Sequence, residues 1–157
     1  MSQSFQVRPV QRDDFGQWRS LWDGYNAFYG RAGASALPES VTRTTWERFL
    51  APDEPIFALV AVHESSLIGI AHFLFHPSTT RIEPVCYLQD LFIEPRRRGQ
   101  GAGRALISSA YDRARSAGAT RVYWQTQASN ATGRALYDRI AGHFGFIVYS
   151  HDIPRDP

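Results

Sequence analysis

Hydrophobic positions change period several times along the chain, and each change marks an element. Large apolar residues fall at Trp18, Leu21, Trp22, Tyr25, Phe28 and Tyr29, steps of three and four that line one face of an α-helix. Asp13 and Asp14 offer N-caps before this run, and Gly30 and Gly33 close it. A second, shorter helix spans Pro38–Leu50, carrying Val41, Trp46, Phe49 and Leu50 and stopped by Pro52. Continuous apolar runs then replace the helical spacing. Ile56–Val62 and Leu67–Phe75, joined by Glu64-Ser65-Ser66, read as a hairpin of two buried strands. Val85–Ile93, ended by Pro95, is a third such run, and Phe5–Val10 supplies an earlier strand. After Pro95 the helical period returns. Leu106, Ile107, Ala110, Tyr111 and Ala114 share one face of a helix over Gly101–Ala117, with Gly118 placed as its C′ residue. Arg121–Thr126 is another strand, Asn130–Ala141 a helix with Ala131, Ala135, Leu136 and Ile140 inward, and Phe146–Tyr149 a last strand.

The element order describes a mixed α/β domain with a strand–helix–strand crossover from Val85–Ile93 to Arg121–Thr126. The chain has 157 residues, which fits one compact domain over residues 1–157. Hydrophobic residues at 43% and charged residues at 20% match ordinary globular usage and argue against disorder. Net charge is +2, too mild to imply nucleic-acid binding by itself. All 17 basic residues are Arg. Without Lys there is no Walker phosphate loop, no Schiff-base chemistry and no covalent pyridoxal phosphate. The single Cys86 excludes an internal disulfide and paired-thiolate zinc sites. His63, His72, His76, His143 and His151 show no metal-ligand spacing, so no metal is expected. Residues 1–10 lack a signal-peptide core, and the longest apolar run falls far short of the roughly 18 residues of a membrane span. The chain reads as soluble and cytoplasmic.

Candidate chemistry concentrates in Arg96-Arg97-Arg98-Gly99-Gln100-Gly101-Ala102-Gly103-Arg104, which joins a buried strand directly to a helix. Glycines let the backbone turn tightly and approach a ligand, and amides at a helix N-terminus attract phosphate oxygens. Adjacent arginines add charge that does not titrate. The segment reads as a pyrophosphate cradle. The dinucleotide fingerprint fails because its third glycine would fall on Arg104. What remains is R-x-x-G-x-G over Arg98–Gly103, which resembles the coenzyme A loop of the GCN5-related N-acetyltransferases. The preceding Tyr87-Leu88-Gln89-Asp90-Leu91-Phe92-Ile93-Glu94-Pro95 resembles that family's central strand, nearest to its polyamine, amino-acid and histone-type branches. Asn130 and Tyr137, seven residues apart, resemble the pair on its next helix.

The resemblance implies a single-domain GNAT fold, an α+β arrangement of about six to seven strands and about four helices. It implies acetyl-CoA as co-substrate, held by Arg98, Gly99, Gln100, Gly101, Ala102, Gly103 and Arg104. Leu91, Phe92 and Ile93 would offer strand-edge groups to the pantetheine arm and the thioester carbonyl. An amide donor there stabilises charge developing on oxygen, an effect of about 3 kcal/mol. Asn130, with Gly133 beside it where the family commonly has Ala, would bond the same arm. Tyr137 would protonate the departing thiolate, being a phenol that stays protonated at neutral pH. Gln89 stands where the polyamine branch has Glu and cannot accept a proton. Asp90, on the face of Leu88 and Phe92 by alternation, is the candidate base, with a structural carboxylate as the other reading. Gly145-Phe146 comes eight residues after Tyr137 rather than the family's four, so the acceptor pocket is not transferable from any one branch.

Acceptor contacts are sought at Trp22, Tyr25 and Tyr29 of the first helix, at Glu83, and at Gln125. The expected acceptor is a primary amine on a small molecule or peptide, with no nucleic acid and no membrane, and a homodimer formed through the C-terminal strand is a further expectation. Two alternatives stay open: a non-catalytic acyl-CoA sensor on the same fold, and an Arg96–Arg98 loop binding nucleic-acid phosphates.

Overall fold

The structure, a computed structural model, describes residues 4–156. The reading of the first ten residues and of the whole chain as one domain therefore lies partly outside them. Contacts gather into two compact units, one running through Gln125 and one from Thr126, and each is described by itself.

The first unit holds one five-stranded sheet in the order β1-β2-β3-β4-β5. Its elements are β1 (Gln6–Pro9), α1 (Phe15–Phe28), α2 (Glu39–Leu50), β2 (Ile56–His63), β3 (Ser66–His76), β4 (Val85–Ile93), α3 (Ala102–Ser116) and β5 (Val122–Tyr123). Strands β1 to β4 pair antiparallel. Strand β5 pairs parallel to β4 at Cys86↔Val122 and Tyr87↔Tyr123, with α3 as the crossover such a pair requires. The hairpin turns tightly at Glu64-Ser65, where Glu64 takes φ 56°.

Cross-strand partners share a face of the sheet, which sorts the core into two layers. On one face α1 and α2 pack Trp18, Leu21, Trp22, Tyr25 and Trp46 over Val60, Ile70 and Phe92. On the other, α3 lays down Leu106, Ile107 and Ala110, all 0% exposed. A Cβ at Gly69 would stand 2.5 Å from Ile93 Cδ1 and 3.1 Å from Leu106 Cδ1, so this glycine lets α3 approach β3. Burying each large apolar side chain contributes about 1.5–3 kcal/mol.

Several expected features differ. Val41 is 42% exposed, and Thr42 takes its place at 3%, because its Oγ1 accepts from the buried Trp22 Nε1 at 3.2 Å. The strand expected over Arg121–Thr126 shrinks to Val122–Tyr123. In the second unit α4 is Ala131–Ile140, with Ala131 and Ala135 exposed rather than inward. Phe146–Tyr149 forms no strand, and Phe146, Ile147, Val148 and Tyr149 are 65–89% exposed. A strand exists only through its ladder, and among the described residues nothing pairs with this run. Among the described residues the sheet thus has five strands rather than six to seven.

Candidate active site

Strand β4 is irregular at the point that matters. His72 pairs with Asp90, but the next residue, Phe73, pairs with Leu88, so Gln89 is an extra residue in β4. Such a bulge resets which way the following side chains point. Tyr87 precedes it opposite Leu74. Asp90 follows it on the same face as Tyr87 and Phe92, toward α1. The expectation that Asp90 shares a face with Leu88 is thereby corrected.

Asp90 is 8% exposed. Its Oδ2 lies 2.9 Å from His72 Nδ1, and His72 Nε2 lies 3.0 Å from Trp18 Nε1. An indole N–H only donates, so His72 Nε2 is the acceptor and the ring proton sits on Nδ1, donated to Asp90. The imidazole is neutral, and its contact with Asp90 is a hydrogen bond rather than an ion pair. His72 is 0% exposed and enclosed by Trp18, Trp22 and Phe49. Burial, together with the charge and hydrogen bonding of Asp90, raises the Tyr25 phenol far above its ordinary range. Tyr25 therefore stays a donor toward that carboxylate. Tyr87 shifts the same way, by burial first and by Asp90 second. Beyond Tyr25, Tyr29 stands edge-on at 5.1 Å between ring centroids. The Arg31 guanidinium lies 5.7 and 5.6 Å from the Tyr25 and Tyr29 ring centres, tethered through Nε to Asn26 Oδ1 at 2.7 Å. A buried carboxylate, three phenols and a guanidinium thus meet beside β4.

The end of the strand carries the anion site. Pairing with β5 stops at Tyr87, so among the described residues no strand covers that edge of β4 from Leu88 to Ile93. The chain then turns through Gly99 at φ 74° and Gly101 at φ 97° into α3. Gly101 is the N-cap and provides no side-chain cap. Helix geometry leaves the amides of Ala102, Gly103 and Arg104 without intrahelical acceptors. A Cβ at Gly99 would meet nothing within 4 Å, so the loop stands open. Arg98 Nε donates to Ile93 O at 3.1 Å, with its guanidinium 5.3 Å from the Phe92 ring centre, which ties the loop back to β4. Open amides, left-handed glycines and neighbouring arginines suit a diphosphate, so the residues present fit coenzyme A.

The profile of the Acetyltransferase (GNAT) family matches residues 18–143. The chain belongs to that family. It is similar, at 31% identity over 93% of its length and 89% of the relative's, to D-amino-acid N-acetyltransferase HPA3 of Saccharomyces cerevisiae. It is 27% identical to the uncharacterized N-acetyltransferase YhfO of Bacillus subtilis, over 94% of this chain and 97% of the other. Among solved structures, the aminoglycoside N-acetyltransferase AAC(6')-Iy bound to a bisubstrate analogue superposes with a TM-score of 0.80 at 15% identity, covering 96% and 99% of the two chains. Ribosomal-protein-alanine N-acetyltransferase of Brucella melitensis biovar Abortus 2308 gives 0.75 at 20%, covering 96% and 100%. These likenesses show the GNAT fold, and the GNAT chain described here is an acyltransferase.

Within this GNAT chain the first unit brings together Asp90, Tyr25, Tyr29 and, along the same strand and loop, Leu91 to Ile93 and Arg98 to Arg104. Trp22 is 7% exposed with its N–H spent on Thr42, so it packs in the core. Glu83 sits exposed in the loop before β4, and Gln125 is exposed at the end of the first unit. In the second unit Asn130 caps α4: its Oδ1 accepts from Gly133 N–H at 3.2 Å, and its Nδ2 donates to Thr126 Oγ1 at 2.9 Å. A Cβ at Gly133 would lie 2.5 Å from Asn130 Nδ2, so a larger residue there would turn the Asn130 side chain out of its cap. Tyr137 is half-buried on α4. Cys86 is buried, and desolvation pushes its thiol up to about 11. Among the described residues no cluster of His, Cys, Asp or Glu is placed for a metal ion, and no helix is long and apolar enough to cross a membrane. Sequence reasoning missed His72, Trp18 as its partner, and Arg31. A histidine inside the apolar run of β3 was the available signal for the first.

Proposed function

We propose that this enzyme transfers an acetyl group from acetyl-CoA to a primary amine of a small molecule or peptide by direct attack on the thioester. One observation carries the reading: a buried carboxylate without an arginine partner faces Tyr25 on the same strand that runs into an open amide cradle. Bound acetyl-CoA supplies an activated acyl carbon and a thiolate leaving group. The chain's residues do the rest. The amides of Ala102, Gly103 and Arg104 hold the pyrophosphate, and the open edge from Leu91 to Ile93 orients the pantetheine arm. Asp90 takes a proton from the incoming ammonium, which breaks an N–H bond and frees the nitrogen lone pair. As the nitrogen bonds the acyl carbon and the carbon–sulfur bond breaks, Tyr137, by family resemblance, gives its hydroxyl proton to the departing sulfur. The second proton the nitrogen sheds restores the phenol, and Asn130 bonds the pantetheine arm.

Arg31 beside Tyr25 and Tyr29 puts a positive charge near the carboxylate of Asp90, an arrangement suited to an acceptor bearing both an ammonium and a carboxylate. The yeast relative's name, D-amino-acid N-acetyltransferase, supports trying amino acids first. The test is a panel of D- and L-amino acids, polyamines and short peptides with acetyl-CoA, reading release of free thiol. Turnover of a primary amine that is lost in Asp90→Asn is expected. Absence of turnover across the panel would overturn the reading.

A further inference from the structure

We propose that His72 is a positioning residue that aims the Asp90 carboxylate at the acceptor amine, with its tautomer fixed by Trp18. The inference rests on Asp90 as the base. Trp18 Nε1 donates to His72 Nε2 at 3.0 Å, and His72 Nδ1 donates to Asp90 Oδ2 at 2.9 Å. Trp18 and His72 are both 0% exposed, so neither bond is exchanged with water. The indole belongs to α1, the imidazole to β3 and the carboxylate to β4. One chain of donors therefore crosses the packed face of the sheet and ends on a group that reaches its surface.

A bare carboxylate on a bulged strand is free to rotate, and both oxygens are equivalent. The Nδ1 hydrogen bond removes that freedom: it ties Oδ2, which fixes the direction of the lone pairs left for Tyr25 and for the proton to be accepted. Turning the imidazole to its other tautomer would set two N–H groups against each other at Trp18 and two lone-pair acceptors against each other at Asp90. Trp18 prevents this because the indole cannot accept. The surrounding rings of Trp22 and Phe49, at 5.4 and 4.5 Å between centroids, hold the imidazole plane. Tyr25, Tyr29 and Tyr87 face the carboxylate side and Arg31 lies beyond them.

Two substitutions at this position separate positioning from packing. An Asn amide sits near the place of Nδ1 and keeps a donor for Asp90, whereas a Gln reaches the place of Nε2 and keeps only the bond to Trp18. Gln fills more of the space, so packing alone ranks His72→Gln above His72→Asn in both melting temperature and activity. Positioning reverses the activity order. With acetyl-CoA and the fastest amine of the panel, kcat for His72→Asn is expected to exceed that for His72→Gln by about tenfold, a fraction of the 10²–10⁴-fold that a positioned base contributes in full. KM for acetyl-CoA is expected to stay within about twofold of the wild type in both. Equal kcat values, or the packing order, would overturn the proposal.

Nitrogen-15 spectra of the wild-type ring test it without turnover. A protonated Nδ1 is expected, with the proton redistributed in Trp18→Phe; a protonated Nε2 in the wild type would overturn it. Asp90→Asn separates the two readings. Retained turnover there removes the base and the positioning together. Loss there, with equal His72 variants, removes the positioning alone.

Discussion

Charge at Gly101 tests the cradle most directly. This residue caps α3 with φ 97° and ψ −1°, and a Cβ built on it comes no nearer than 3.9 Å to any neighbour, the Phe5 ring. A side chain there meets no steric wall and pays only for the left-handed backbone, about 1–2 kcal/mol and less for Asn or Asp, which tolerate that region. Gly101→Asn and Gly101→Asp are therefore matched in shape and backbone cost and differ in one negative charge. With that charge about 6 Å from a doubly charged pyrophosphate, the repulsion is about 1.4 kcal/mol even at the dielectric of water, a tenfold change in Kd. Calorimetric titration with acetyl-CoA should show Asn weakening binding several-fold and Asp about tenfold more. The gap should narrow as salt rises, because screening shortens the reach of the added charge. Titration with pantetheine, which has no phosphate, should not separate the two variants. If Asn and Asp bound acetyl-CoA equally at low salt, the open amides of α3 would not face the phosphates.

Three further outcomes follow from particular contacts. Hydrogen bonding from Arg8 holds the Asp14 carboxyl below its ordinary range, with burial opposing and the Gln11 amide assisting. A lowered folded value contributes stability that is fully present above the unfolded carboxylate value of about 3.9 and is lost as pH falls from there through the folded value. Asp14→Asn should therefore cost about 2 kcal/mol near pH 7, and the deficit in urea unfolding should shrink below about pH 4; a pH-independent deficit would refute the linkage. Gly133→Ala should accelerate amide exchange in the first turn of α4 by displacing the Asn130 cap, a loss of up to about 2 kcal/mol against the roughly 1 kcal/mol that helix propensity returns. Slower exchange would show that propensity wins. Cys86, buried and pushed up to about 11, should resist a thiol-reactive chromophore at pH 8 until guanidinium unfolds the chain; rapid native labelling would contradict the packing of β4.

How far the sequence revealed this arrangement depends on what each feature needs. Strands β2, β3 and β4 and helix α3 were legible because burial imposes a period on their residues, and β4 has the expected bounds. The cradle was legible because left-handed backbone demands glycine at Gly99 and Gly101. Thr42 was not, since the α2 face is set by a hydrogen bond from Trp22 rather than by hydrophobicity. Strand β5 was overestimated because an apolar run such as Val122–Trp124 shows propensity but not whether a partner extends alongside it. His72 was hidden for a similar reason: in an apolar run a histidine looks like an interruption until its two nitrogens are seen to be paired.

The bulge at Gln89 explains why the candidate base could not be oriented from the sequence. In an unbroken strand Tyr87, Gln89 and Leu91 would share one face, and Asp90 and Phe92 would join Leu88 on the face covered by α3. There the carboxylate would lie against the aliphatic layer of Leu106 and Ile107, with no donor of that layer to meet it. One inserted residue turns Asp90 and Phe92 toward α1, where Tyr25 and the His72–Trp18 pair supply donors. The same inserted residue lies where the ladder with β5 has already ended, so the strand can bend without breaking a neighbour's hydrogen bonds. The break in regular pairing thus sets the carboxylate's direction and leaves the strand edge open on the way to the cradle. A period-based reading is least informative there, because the chemistry depends on a departure from the period.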